Sequence, residues 1–165
     1  MQLNHPDIQE VLVTADQIQT RVQELATEIS DFYREKDVLL LGILKGAVPF
    51  MADISRALSI PVQQDWMAVS SYGSGTVSSG VVRILKDLDA DIKDRHVLIV
   101  EDIIDSGLTL SWLTSNLKAR GAASVEIVTL LRKPEAAKVK IAVRWVGFDI
   151  PNAFVVGYGL DFNED

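Results

Sequence analysis

The chain has 165 residues, enough for one domain with a substantial core. Hydrophobic residues make up 48% and charged residues 24%, ordinary for a globular protein, and a formal net charge of -7 speaks against a nucleic-acid partner, which needs a basic face. That negative surface means any anion site must be local, built from backbone amides, a few lysines or a metal; and with no cysteine there is no disulfide framework and no thiol chemistry.

Met1 to Asp7 is polar, with no secretory apolar stretch behind it, and runs such as Val38 to Leu44 are too short to span a bilayer. A cytoplasmic protein with no membrane partner is the expectation. Thr14 and Gln17 form a capping-box pattern, and Ile18, Val22, Leu25, Ile29 and Phe32 make the apolar stripe of an amphipathic helix. Val38 to Leu44 is a continuous apolar run, predicting a strand buried on both faces. After Lys45 and Gly46, a second helix carries Val48, Met51, Ile54 and Leu58, with Pro49 tolerated in its first turn. Pro61 to Val69 reads as a strand.

Ser70 to Gly80, rich in serine and glycine, is either a plain solvated connection or a functional loop. Because strand-like sequence resumes at Val81 to Leu85, it is a loop inside one domain. His96 to Val100 is a second buried strand, ending in Glu101 and Asp102. The chain then passes through Asp105, Ser106 and Gly107 into a helix from about Thr109 to Arg120, with Gly121 at its C-terminal cap. Val125 to Leu131, Val143 to Phe148 and Phe154 to Tyr158 read as further strands. Strands alternating with helices predict an α/β fold, a mostly parallel sheet covered on both faces. Trp66, Trp112 and Trp145 read as core or interface residues, and His5 and His96 are too isolated for a metal cluster.

The chemistry concentrates in Val97 to Leu110, VLIVEDIIDSGLTL. A buried strand delivers two adjacent carboxylates at its C-terminal end, the end where ligands bind in open α/β sheets. Two acids side by side repel each other, so burying them is costly unless a metal or sugar hydroxyls engage them. Ile103 and Ile104 should anchor the turn. The amides of a helix start, the hydroxyls of Ser106 and Thr109 and a flexible Gly107 then make a phosphate cradle. Any one of these residues alone would be a helix cap or a solvated strand end; together they point to a site.

VLIVEDIIDSGLTL closely resembles the phosphoribosyl-pyrophosphate-binding motif of the type I phosphoribosyltransferases. GILKGA at 42–47, VSSYG at 69–73, LLRKP at 130–134 and VGFDIPNAFVVGYGLDFNE at 146–164 narrow the resemblance to the hypoxanthine-guanine phosphoribosyltransferase family. It runs from about Val38 to the end. It implies that fold, with a small hood formed from the terminal segments, and transfer of a phosphoribosyl group to N9 of a 6-oxopurine in purine salvage, with Mg2+. Asp105 would be the general base or acid at purine N7. Glu101 and Asp102 would lie at the ribose hydroxyls and help hold Mg2+, with Asp161 reaching the metal through water. Asp105, Ser106, Gly107, Leu108 and Thr109 would wrap the 5′-phosphate. Leu44, Lys45 and Gly46 match the pyrophosphate loop, where the family has a non-proline cis peptide between the leucine and the lysine. Ser71 and Tyr72 match a loop that closes over the site. Lys133 would meet the 6-oxo group, where a cation favours a carbonyl over an amino group. Phe154 would stack on the base, and the Val155 backbone would meet the purine edge. The resemblance further implies a homodimer or homotetramer.

Without it, Lys45 would be a surface lysine, Lys133 a loop charge and Phe154 strand core. The family continues past Asp161 to Glu164 with a stretch containing an arginine for pyrophosphate, whereas this chain stops at Asp165. One phosphoribosyltransferase domain over 1–165 is expected, with its C-terminal arm either shortened or missing; a missing arm should weaken activity. The competing readings are a nucleotide-sensing relative that binds RNA, a xanthine- or adenine-preferring enzyme, and a silent scaffold. The charge of -7, Lys133 and the retained Lys45, Glu101, Asp102, Asp105 and Asp161 weigh against them in turn.

Overall fold

The computed structural model describes residues 8–71 and 82–160. Helix α1 (Ala15–Phe32) starts at the expected capping box: Thr14 Oγ1 accepts from Gln17 N at 3.2 Å, and Gln17 Oε1 accepts from Thr14 N at 2.8 Å. Its stripe buries Val22, Leu25 and Ile29. The continuous apolar run becomes β1 (Val38–Ile43), buried at every position. Helix α2 (Val48–Ala57) follows with Pro49 in its first turn. Next come β2 (Gln63–Ser71), β3 (Val82–Lys86), β4 (His96–Ile104), α3 (Leu108–Ala119), β5 (Ser124–Arg132) and β6 (Trp145–Asp149), with a short 3-10 turn at Pro134–Ala136 after β5.

The strands form one sheet in the order β3-β2-β1-β4-β5-β6, parallel throughout except for the antiparallel β2–β3 pair. Alternation along β1 splits the core between the sheet's two faces. Val38 and Leu40 join Leu98, Val100, Val128, α1 and α2 on one side. Leu39, Leu41 and Ile43 join Val97, Ile99, Ile127 and α3 on the other. Trp145 is buried in the first cluster, edge-on to Phe32 at 5.2 Å between ring centroids. Trp66 and Trp112 are half-buried against the two clusters. Arg21 of α1 donates to the carbonyls of Val146 at 2.8 Å and Gly147 at 3.1 Å, tying α1 to edge strand β6.

Chain order leaves β1 on one side through α2 to β2 and β3, and on its other side lies β4, from which the sheet continues to β5 and β6. The order therefore reverses between β1 and β4. A crevice opens at such a point, beyond the carboxyl ends of the two strands.

Three differences from the sequence expectation bear on the site. β4 runs on to Ile104, so Glu101 and Asp102 lie within the strand, Glu101 opposite Thr129 of β5. Helix α3 begins at Leu108 and ends at Ala119, and Gly121 follows with φ +89°. Phe154 to Tyr158, expected as a strand, is irregular: among the described residues its neighbourhood holds only the isolated Gly157–Leu160 bridge. Gly157, Tyr158 and Gly159 all have positive φ, which turns the chain, and Phe154 is 73% exposed, so its alternation with Val156 does not mark core. Of the hood, this segment is the described part of the C-terminal contribution; residues 1–7 and 161–165 lie outside the described residues.

Asp65, buried in β2, accepts hydrogen bonds from the backbone N–H of Trp66, Asp89 and Ala90 at 2.8–2.9 Å, pinning the 87–91 connection to the sheet. Asp65→Ala strips three amides of their acceptor, and urea unfolding is expected to show a loss of about 3 kcal/mol. A loss below about 0.5 kcal/mol, the size of an ordinary surface change, would mean water replaces the carboxylate.

Candidate active site

At the end of β1 the chain must leave the sheet and start α2 within a few residues. Leu44 N still donates to Met67 O at 2.9 Å, the Leu44–Lys45 peptide is cis, and Val48 N donates back to Lys45 O at 3.1 Å. The cis bond stands where the resemblance placed it. This tight loop brings Gly46 against Asp102: a Cβ at Gly46 would fall within the Asp102 carboxylate. Lys45 is exposed.

Glu101 and Asp102 are half-buried at the end of β4. Burial, then the charge of Asp102 and a hydrogen bond to it, hold the Glu101 carboxyl well above the usual carboxylate range. Burial also raises Asp102, against the hydrogen bond it accepts from Ile103 N at 2.7 Å. Among the described residues no lysine or arginine pairs with either acid, and no group of three or more His, Asp or Glu forms. Two crowded oxygen ligands without a cation suit a hard divalent ion that takes its remaining ligands from substrate and water, as Mg2+ does. The residues present fit that metal.

Beyond Ile104, Asp105, Ser106 and Gly107 make the turn into α3. Gly107 is buried with φ +80°, and a side chain there would meet Ile141 and Val139. The N-cap of α3, Gly107, has no side chain to offer, and the first-turn amides have no partner within the helix. Ser106 Oγ lies 3.4 Å from Leu108 N, while Ser106 O accepts from Lys138 N at 2.9 Å. A cavity of about 310 Å³ opens here, and its lining includes Glu101, Asp105, Ser106, Gly107 and Thr109. The arrangement can hold an anion on helix amides with two acids alongside.

Lys133, the first residue after β5, is fixed by its N–H to Ile104 O at 2.9 Å. Its Nζ reaches Asp105 Oδ1 at 3.2 Å, and its side chain is 11% exposed against 55% for Asp105. A nearly buried cation thus meets a carboxylate open to solvent. Phe154 and Val155 come from the segment after β6 and do not line the cavity; Val155 packs on the first core cluster. Ser71 ends β2, while Tyr72 and Asp161 lie outside the described residues.

Sequence reading passed over contacts that close the site from outside: Lys138 on Ser106, Ile141 on Gly107, and Tyr158 with Gly159 on α2 and Gly46. Each joins residues more than 30 positions apart, and no local pattern announces them.

A six-stranded sheet of this order, with an anion-ready turn and an acid pair at its switch point, defines a class, and residues 12–163 match the phosphoribosyl transferase domain, so the chain belongs to the phosphoribosyl transferase family. Within it, similar proteins include hypoxanthine-guanine phosphoribosyltransferases. The hypoxanthine-guanine phosphoribosyltransferase of Mycobacterium tuberculosis is 58% identical over 164 residues, covering 96% of this chain and 81% of its own. The structure of a hypoxanthine phosphoribosyltransferase from Staphylococcus aureus superposes with a TM-score of 0.93 at 45% identity, over 96% of this chain and 86% of that one. That of the Trypanosoma cruzi hypoxanthine phosphoribosyl transferase, described for the role of its C-terminal region in oligomeric state and activity, gives 0.91 at 41% identity, over 97% and 87%.

Proposed function

We propose that this chain transfers the phosphoribosyl group of phosphoribosyl pyrophosphate to N9 of hypoxanthine or guanine, giving the nucleotide and pyrophosphate. The observation that carries this reading is the Lys133–Asp105 pair, held at 3.2 Å, with Asp105 lining the same cavity as Glu101, Ser106 and Thr109. In a 6-oxopurine, O6 and N7 share one edge of the base. Lys133 donates to O6, and Asp105 takes the N7 proton as N9 bonds to C1′. The C1′–oxygen bond breaks, and pyrophosphate leaves with its electron pair.

The amides of Ser106 to Thr109 hold the 5′-phosphate, and Leu44, Lys45 and Gly46 face the pyrophosphate. Glu101 and Asp102 would hold Mg2+ and the ribose hydroxyls, and the family resemblance would add Asp161, which lies outside the described residues. When bound, Mg2+ neutralises charge gathering on the leaving group. By the family resemblance Ser71 and Tyr72 would belong to a loop that shuts water from the cationic sugar, Tyr72 lying outside the described residues. Phe154 stacks on the base, and Val155 meets its edge through the backbone. The assembly expected from the family resemblance is a homodimer or homotetramer, which light scattering checks. Among the described residues no helix is long and apolar enough to cross a membrane.

The test compares hypoxanthine, guanine, xanthine and adenine with phosphoribosyl pyrophosphate and Mg2+. Turnover with hypoxanthine or guanine and none with adenine is expected; no turnover with any base overturns the reading. Lys133→Ala should lower kcat/KM for hypoxanthine about 10- to 100-fold, the worth of one charge-assisted hydrogen bond. Unchanged kcat/KM would remove Lys133 from base recognition.

A further inference from the structure

The segment that presents Phe154 and Val155 has no strand to hold it, so something else must set its position. Beyond Ile150 its described backbone bonds are local: Ala153 N to Pro151 O, and the Gly157–Leu160 pair. Tyr158 is half-buried, and its hydroxyl donates to Asp53 Oδ2 of α2 and lies 3.5 Å from Pro49 O. Asp53 is in turn held by Arg56, whose Nη2 donates to Oδ1 at 2.6 Å. Burial, and then the Asp53 hydrogen bond and charge, push the Tyr158 hydroxyl above the ordinary phenol range, so it stays protonated and remains a donor. Next along the chain, Gly159 (φ +94°) lies so close to the Gly46 carbonyl and the Pro49 ring that a side chain there would collide with both. Helix α2 begins two residues after Gly46. One short stretch therefore grips both the candidate pyrophosphate loop and the helix it starts.

We infer that Tyr158 is a positioning residue: through Asp53 it fixes the base-binding segment to the pyrophosphate loop, so that purine and phosphoribosyl pyrophosphate are held in register. This rests on the function proposed above. The aromatic ring packs with the first core cluster whether or not the hydroxyl is present. Losing the hydroxyl should therefore loosen the segment without unfolding the protein.

The experiment measures KM for hypoxanthine, KM for phosphoribosyl pyrophosphate, kcat and Tm for wild type, Tyr158→Phe, Asp53→Ala, the double variant and Asp53→Glu. Tyr158→Phe is expected to raise KM for hypoxanthine about tenfold, with KM for phosphoribosyl pyrophosphate rising less and Tm within a few degrees of wild type. The double variant should be no worse than either single one, since both remove the same bond. Asp53→Glu, which keeps a carboxylate, should restore part of the loss. If Tyr158→Phe and Asp53→Ala leave KM for hypoxanthine at the wild-type value, or their effects simply add, the inference falls. Wild-type turnover in the same assay tests the function itself, so the two failures are distinguishable.

Discussion

Asp105→Asn is expected to lower kcat for hypoxanthine about 10²- to 10⁴-fold, the usual span of a lost general acid–base. Asparagine keeps the size of the side chain and can still touch Lys133, but it cannot take the N7 proton. Asp105 is 55% exposed while its partner is nearly buried, so the substitution disturbs the site far more than the fold. Product nucleotide should still bind if, as proposed, the amides that follow hold the phosphate, and calorimetry on the variant measures that separately. Asp105→Ala, which also frees the Lys133 ammonium, should bind hypoxanthine more weakly than the asparagine variant. A kcat within threefold of wild type for Asp105→Asn would show that another group moves the proton.

The second large effect is expected from a single methyl group. In Gly46→Ala the new Cβ lands on the Asp102 carboxylate, so either the acid swings out of the site or the loop lifts away from β4. Either movement shifts the pyrophosphate loop relative to the acid pair, and a displacement of that order costs about 10²-fold in kcat/KM. The fall should appear with phosphoribosyl pyrophosphate as the varied substrate, while Tm changes little because Gly46 lies outside the two core clusters. The clash has one named partner, which gives a check: Gly46→Ala in an Asp102→Ala background should add almost nothing. Full additivity of the two losses would place the damage elsewhere.

What could be read directly from the sequence was local. The capping box and stripe of α1, the buried runs of β1 and β4 and the turn at Asp105 to Thr109 each follow from neighbours within one or two turns of chain. Phe154 to Tyr158 misled because alternation was read as a strand, when the glycines at 157 and 159 already signalled a turn. Asp65 drew no attention: a lone acid in a strand shows nothing until the amides of a distant connection are folded onto it. The meetings of Gly46 with Asp102, Lys133 with Asp105 and Tyr158 with Asp53 are products of strand order. Family resemblance supplied roles for the first two, and nothing in the local pattern supplied the third.

The irregular stretch between β5 and β6 is the outer wall of the phosphate turn. Lys138 N is bonded to Ser106 O, and Val139 and Ile141 bear on the bare face of Gly107. Connections between strands are ordinarily where a chain tolerates added residues or a cut. Here an inserted tag or a circular permutation between 137 and 142 would release the turn that starts α3, with no residue of that turn altered. On the opposite rim of the sheet the turn at Glu35 makes only local backbone bonds and is the place to open or extend the protein.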